Sequence, residues 1–394
     1  MGAAFWIAAA LVGLSGGLYL LGIASLLRAL RRRVAPVVPA ELPALTVCKP
    51  LKGLEEELEQ NLETFFTQAY PGPYEVVLGS LEPDDPALEV ARRVARRHPE
   101  IASRIVAGGP ALGHNPKVAN LANLLRHAKT ELVLFSDANV RVGPRYVATV
   151  VAELEADGAA LLTSLVAGIG EKSAGAAMDN LHLTCFVSPA MCFALQAARI
   201  TCVVGKTMLL RRSDLEELGG LALVKDVLAE DFVLGEAYQK AGKRVLLSTT
   251  PVHNVNVDTS VDRFMSRHAR WLRMRAVISM LGMVADLAAN PVAMGLAAFV
   301  ISGFDLRIFL ALAGVVIAKP FFEAVALRRL RGERMAARHL ALSPLKDLLV
   351  AAVWPYALLS RSVEWRGVRM HIGRGSRVTP VGEPTPAPAP RTAE

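Results

Sequence analysis

The sequence predicts an α/β domain, with a mostly parallel sheet and helices on both faces, held between an N-terminal transmembrane helix and a C-terminal membrane region. Three observations carry this reading. Residues 1–27 contain no charged side chain, and about 20 apolar residues suffice to cross a bilayer. Between residues 44 and 277, short apolar runs alternate with helical patterns, as they do when strands are joined by crossover helices. Beyond residue 278 the apolar character returns: 287–304 is free of charge, and 308–322 is interrupted only by Lys319. The chain is 53% hydrophobic over 394 residues, with a mean hydropathy of +0.36, high for a soluble protein.

The N-terminal run is followed by Arg28, Arg31, Arg32 and Arg33. A secretory signal would carry its charge before the apolar stretch. Residues 1–28 therefore read as an uncleaved anchor, with its N-terminus outside and its basic flank in the cytoplasm. The C-terminal region, 278–362, holds about three spans or re-entrant segments; the third, 348–360, is short and contains Pro355. Residues 375–394 are a Pro/Ala-rich tail of the kind that stays disordered.

The formal net charge is +8. Basic residues cluster beside the apolar runs at 31–33, 267–275 and 328–338, which suits an anionic membrane surface or an anionic nucleotide. No nucleic-acid recognition motif appears, so no nucleic-acid partner is expected. Cys48, Cys185, Cys192 and Cys202 show neither CxxC nor Cys/His metal spacing; they are expected to be reduced and mostly buried.

Within residues 44–277, "ALTVCKP", "YEVVLGS", "SRIVAGG", "ELVLFSD" and "AALLTSLV" read as strands. "LEEELEQNLETFFTQAY", "PALEVARRVARRH", "PKVANLANLLRHA" and "PRYVATVVAELEA" read as helices. In such a sheet, ligands bind beyond the carboxyl ends of the strands. Asp137 ends the strand "LVLFSD" at that edge. Its carboxylate reads equally as a ligand for a hard cation beside phosphate oxygens or as a turn residue. Asp84 and Asp85, in "EPDDPA", make good turn and helix-start chemistry; a carboxylate there can also accept hydrogen bonds from a base or ribose. Lys117 stands at a loop-to-helix junction suited to a diphosphate, although a single lysine is more often simply solvated. Glu230 and Asp231 open an apolar helix, where they complement its dipole or supply a general base. Arg267, Arg270 and Trp271, in "RHARW", share one helical face. Two guanidiniums can chelate a diphosphate; an interfacial Arg/Trp belt is the plainer alternative. The crowding of Arg263, Arg267, Arg270, Arg273 and Arg275 favours an anion among them.

Taken in order, these motifs resemble the ceramide glucosyltransferase family, a membrane branch of the inverting processive-type glycosyltransferases. The matching pieces are Asp85 in "DDPA", Asp137 in "SDANVR", Asp231 in "AEDF", and Arg267, Arg270 and Trp271 in "RHARW", with "KPLKG", "QNLETFF" and "NPKVANL" alongside. The resemblance covers about residues 1–370. It implies a GT-A-type nucleotide-sugar domain facing the cytoplasm of a bacterial inner membrane. It assigns nucleotide binding to Asp85, the metal–diphosphate to Asp137, and the catalytic base to Asp231. A divalent cation, Mg²⁺ or Mn²⁺, is the implied cofactor, with Asn139 standing where a DxD motif would have its second carboxylate. The implied partners are a UDP-sugar donor and a membrane lipid acceptor, and the implied reaction is glucose transfer from UDP-glucose to the primary hydroxyl of ceramide. An Ala/Arg-rich composition fits a high-GC bacterium and keeps a second reading open, transfer of N-acetylglucosamine to a hopanoid polyol. A polysaccharide synthase would need more spans after "RHARW", and a transporter would need several long spans with polar breaks. A catalytically inactive membrane scaffold is the remaining alternative.

Overall fold

The computed structural model describes residues 2–32, 36–365 and 368–381. In chain order the elements are α1 (Ala3–Arg31), β1 (Leu45–Pro50), α2 (Leu58–Phe66), β2 (Tyr74–Ser80), α3 (Pro86–Arg97), β3 (Ala102–Ala107), α4 (Pro116–Leu125), β4 (Leu132–Ser136), β5 (Val140–Arg141), α5 (Tyr146–Asp157), β6 (Leu161–Ile169) and α6 (Ala174–His182). A π-helical turn, Leu183–Val187, joins α6 to α7 (Ser188–Ala198). Then follow β7 (Thr207–Arg211), α8 (Arg212–Glu217), α9 (Glu230–Lys240), β8 (Val245–Val255), α10 (Val261–Ile278), α11 (Met280–Ala288), α12 (Pro291–Ile301), α13 (Leu306–Arg331), α14 (Ala337–Leu340) and α15 (Ser343–Leu359), and last β9 (Ser362–Trp365), β10 (Val368–Ile372) and β11 (Val378–Pro380).

The main sheet has eight strands in the order β3-β2-β1-β4-β7-β6-β8-β5. Side chains alternate faces along a strand, and here the alternation assigns the helices. Leu45 and Val47, Val76 and Leu78, and Leu132 and Leu134 pack with α2, α3 and α5. Cys48, Val77, Val133 and Phe135 pack on the other face with α4, α8 and α9. The strands β3, β2, β1 and β4 run parallel, as do β6 and β8. The sheet is interrupted by β7, which runs antiparallel to both neighbours, and β5 is antiparallel to β8. That reversal matters for the site. Because Ser136 pairs with Thr207, the residues entering β7 lie beside those leaving β4.

Three expectations change in detail. The helix read from residue 54 begins only at Leu58, because Glu57 adopts a left-handed conformation at φ 52°. Within the tail expected from 375, Val378–Pro380 is a strand of a small three-stranded sheet. Residues 382–394 and Arg33 lie outside the described residues. Third, among the described residues, four helical segments are long and apolar enough to cross a membrane: 3–31, 174–198, 306–331 and 337–359. The 174–198 segment was not foreseen. Half of its apolar window is buried, packed through Leu181, Cys185 and Met191 against Tyr19 and Ile23 of α1 and Ala326 and Leu327 of α13. The pair α11 and α12, bent by 77°, would make a fifth span if counted as one.

Candidate active site

Asp137 leaves β4 at the centre of the sheet edge, as the sequence predicts. Its Oδ1 meets Lys117 Nζ at 2.8 Å and its Oδ2 meets Lys206 Nζ at 3.1 Å. Burial raises a carboxyl's pKa, but the two ammonium groups outweigh it and hold Asp137 well below its ordinary range. Lys117 is the hub. It opens α4, where Asn115 caps the helix by accepting from Lys117 N at 2.9 Å and Val118 N at 3.1 Å. Its ammonium also reaches Glu230 Oε1 at 2.9 Å and donates to Gly205 O at 3.2 Å. Burial works against its charge, yet Asp137, Glu230 and Asp231 raise its pKa above the ordinary lysine value. Lys49, at the end of β1, donates to Asp137 O at 2.8 Å and lies 3.8 Å from the centre of the Phe65 ring. Its burial lowers its pKa.

Asp231 sits in the first turn of α9. Gly205 N donates to its Oδ2 at 2.6 Å and Phe232 N to its Oδ1 at 2.8 Å. A Cβ at residue 205 would stand 2.9 Å from Lys117 Nζ and 3.0 Å from Asp231 Oδ2, so a side chain there would displace the ammonium. Burial and the neighbouring Glu230 raise Asp231 to about 6, against the pull of Lys117 and the two amides. The structure therefore draws Lys117, Asp137 and Asp231 into one ionic knot, with a carboxylate poised near neutrality at its rim.

That rim opens on a cavity of about 300 Å³ lined by Asp231, Phe232 and Trp271 and continuing between the apolar helices. Trp271 packs over His268, ring centres 5.2 Å apart. Arg267 turns elsewhere: its Nη1 pairs with Asp179 Oδ2 at 2.8 Å and donates to Asn256 Oδ1 at 3.2 Å. It ties α10 to α6 and to the end of β8. Arg270, half-buried, lies three residues further along α10.

Asp85 is accounted for by local architecture. It caps α3 by accepting from Ala87 N at 2.9 Å, and it accepts from Gly53 N at 3.0 Å and Ser80 Oγ at 2.8 Å. Burial raises its pKa, but these donors prevail and lower it. The carboxylate thus pins the loop after β1, the strand that carries Lys49. Asp85→Ala is expected to cost about 1–2 kcal/mol, as loss of a strong helix cap does, and to lower the melting temperature measured without any ligand. A variant with unchanged melting and weakened donor binding would instead mark a residue that contacts nucleotide directly.

Among the described residues, no group of three or more His, Cys, Asp or Glu side chains is arranged to hold a metal ion. The fit to a divalent cation rests on two oxygens. Lys206 Nζ, 3.1 Å from Asp137 Oδ2, also donates to Asn139 Oδ1 at 2.9 Å, so a carboxylate and a carboxamide oxygen already converge on one positive charge. Mg²⁺ is often bound this way, by one or two protein oxygens with phosphates and water completing the shell. The residues present fit a cation carried in with a diphosphate.

The sequence reading missed Lys49 and Lys206, which look like ordinary solvated lysines at strand ends; only the strand register brings them to Asp137. It also passed over His268, inside "RHARW", and His182, whose ring centre lies 4.5 Å from that of His268.

This chain is similar to known proteins along most of its length. Ceramide glucosyltransferase 1 of Caenorhabditis elegans is 28% identical over 282 residues, 71% of this chain and 60% of the relative. Ceramide glucosyltransferase 3 of the same organism is 26% identical over 354 residues, 86% of this chain and 75% of the relative. The matched region thus spans less than two thirds of the first of these relatives. Among solved structures, a mannosyltransferase of Pyrobaculum calidifontis in complex with GDP-Man and Mn²⁺ aligns over 90% of this chain and 99% of its own, with 20% identity and a TM-score of 0.49. The model of Glycosyl transferase family 21 matches residues 8–378, and the chain belongs to that family.

Proposed function

We propose that this chain is a membrane-bound inverting hexosyltransferase that moves glucose from UDP-glucose to the primary hydroxyl of a ceramide-type lipid. The observation that carries the proposal is the position of Asp231, which closes one end of the ionic knot and lines the cavity that continues among the apolar helices. The names of the relatives support the choice of sugar and lipid. The donor's diphosphate lies against Lys117 and Lys206, and the lipid's hydroxyl enters from the helices. Asp231 takes the proton of that hydroxyl as its oxygen bonds to the anomeric carbon. The bond from that carbon to the diphosphate breaks on the opposite face, and UDP leaves with the electron pair. The transition state has oxocarbenium character, and the lysines act where negative charge builds. Asp137 and Asn139 would hold a divalent cation, which would add positive charge at the same place. The arginines at the C-terminal end of α1, Arg28, Arg31 and Arg32, support a cytoplasmic placement of the domain that follows.

The test is to incubate membranes containing the protein with labelled UDP-glucose or UDP-N-acetylglucosamine and with ceramide or a hopanoid polyol, then identify the lipid product by mass spectrometry. Glucosylated ceramide supports the proposal. An N-acetylglucosaminyl hopanoid moves it to the second substrate pair, and absence of UDP release with every pair leaves a scaffold. Chelation with EDTA is expected to lower turnover on the order of 10²-fold, with recovery on adding Mg²⁺ or Mn²⁺. A flat response would leave the lysines as the site's only cations.

A further inference from the structure

The same cavity is also lined by charged side chains of the apolar helices: Lys319, Glu323, Lys346 and Asp347. All four are buried, with relative exposure of 1–5%. Lys319 pairs with Glu323, reaches Asp347 Oδ2 at 3.2 Å and donates to Ser343 Oγ at 2.8 Å; Lys346 Nζ lies 2.5 Å from Asp347 Oδ1. Two ammoniums balance two carboxylates, so the cluster calls for no counter-ion. Ionisable residues at membrane depth are costly and usually serve function.

What the cluster lacks is hydrogen-bond partners, above all donors for two of its acceptors, while the Tyr19 hydroxyl can donate as well as accept. Glu323 Oε2, Tyr19 Oη, His182 Nδ1 and His268 Nε2 have no partner within the protein, and all four residues line the cavity. Glu323, when ionised, only accepts. His268 places its Nδ1 2.9 Å from Phe264 O, which fixes the proton on that nitrogen and leaves Nε2 as an acceptor. Burial lowers its pKa to about 3, so the ring stays neutral. Buried polar atoms without partners are expensive, and these four line one cavity that Asp231 also lines.

We infer that this cluster is a headgroup-recognition site, selecting neutral lipids that carry at least one hydroxyl or N–H donor beyond the hydroxyl that reacts. The inference rests on the lipid-acceptor reading of the cavity and narrows it. An amide-diol lipid and a polyol lipid both satisfy the site. A long-chain alcohol with a single hydroxyl does not, because its binding leaves the buried acceptors bare. An anionic phospholipid finds both ammoniums already paired.

The test uses the full-length protein in detergent, with two readouts: lipid-induced rise in melting temperature, and glycosylated product by mass spectrometry. Four lipids of matched chain length are compared: an amide-diol, a polyol, a single-hydroxyl alcohol and a phosphatidylglycerol. Wild type is expected to bind one of the first two at least 100-fold more tightly than the alcohol, and which of the two it prefers identifies the source of the headgroup. Glu323→Gln and Tyr19→Phe are each expected to reduce that ratio at least tenfold, with UDP-sugar affinity unchanged. Tyr19→Phe deletes one oxygen and keeps the ring, so it serves if Glu323→Gln fails to fold. Discrimination that is absent in wild type, or retained in full by Tyr19→Phe, overturns the inference whatever the turnover. Discrimination in binding that the variants lose, without any glycosylated product, upholds the inference and sinks the transfer reaction instead.

Discussion

Asp231→Asn is expected to lower turnover by a factor of about 10²–10⁴, the range for loss of a general base, while leaving UDP-sugar binding in place. The carboxylate accepts from two backbone amides that an asparagine oxygen can partly keep. What the substitution removes is the ability to take a proton. The wild-type rate should rise with pH through about 6 and then level off, because only the ionised form is a base and its pKa is raised to about 6. Stability should move the other way. A carboxyl whose folded pKa exceeds its ordinary value of 3.8 favours the folded state at low pH and opposes it once ionised. Asp231→Asn should therefore melt no lower than wild type at pH 7, with the difference closing as the pH falls toward 4. A variant that is inactive because it is unfolded would fail that comparison. Wild-type turnover in a well-folded Asp231→Asn would end the assignment of the base.

Lys117→Met should cost about 3–5 kcal/mol, the usual result of removing one partner from a buried ion cluster. The Lys117 side chain is only 13% exposed, and its ammonium holds two carboxylates, those of Asp137 and Glu230. Without it Asp137 keeps Lys206, but Glu230 is left with a single long hydrogen bond from Asn115, at 3.4 Å. For the sheet domain a loss of this size is a drop of at least about 6 °C in melting temperature. Combining it with Glu230→Gln should recover part of the loss, since the stranded charge is then gone; a double variant no more stable than the single one would contradict this account. The pH window follows from both partners. The lowered pKa of Asp137 adds stability above the ordinary 3.8 that is lost in acid. The raised pKa of Lys117 adds stability below the ordinary 10.5 that is lost in alkali. The Asp137–Lys117 pair is whole between about pH 4 and pH 10.

The parts of the fold that follow from local pattern were legible in the sequence. Apolar runs ending in Asp137 and helices begun by proline at Pro86 and Pro116 needed only residues close together in the chain. Placement was legible where a residue stands at the end of one element, as Asp137 does beyond β4 and Lys117 and Asp231 do at the starts of α4 and α9. It was not legible where partners come from remote segments. Lys206 reaches Asp137 because β7 runs backward against β4, a pairing that no short-range pattern encodes. Asp179, 88 residues from Arg267, could not be foreseen as its partner. Lys319 read as a blemish in a span, and its partner Asp347 lies in a different helix.

The small C-terminal sheet has a consequence for biogenesis. Ser376 O and Oγ accept from Leu228 N and Ala229 N, and Val378 N donates to Asp226 O, so the segment leading into α9 receives its last hydrogen bonds from residues made after every apolar helix. During synthesis, the peptide just ahead of Asp231 leaves the ribosome well before the strand that fastens it. Fastening of the segment ahead of Asp231 is thereby tied to completion of the chain, and a nascent chain still making its last apolar helix has yet to fasten it.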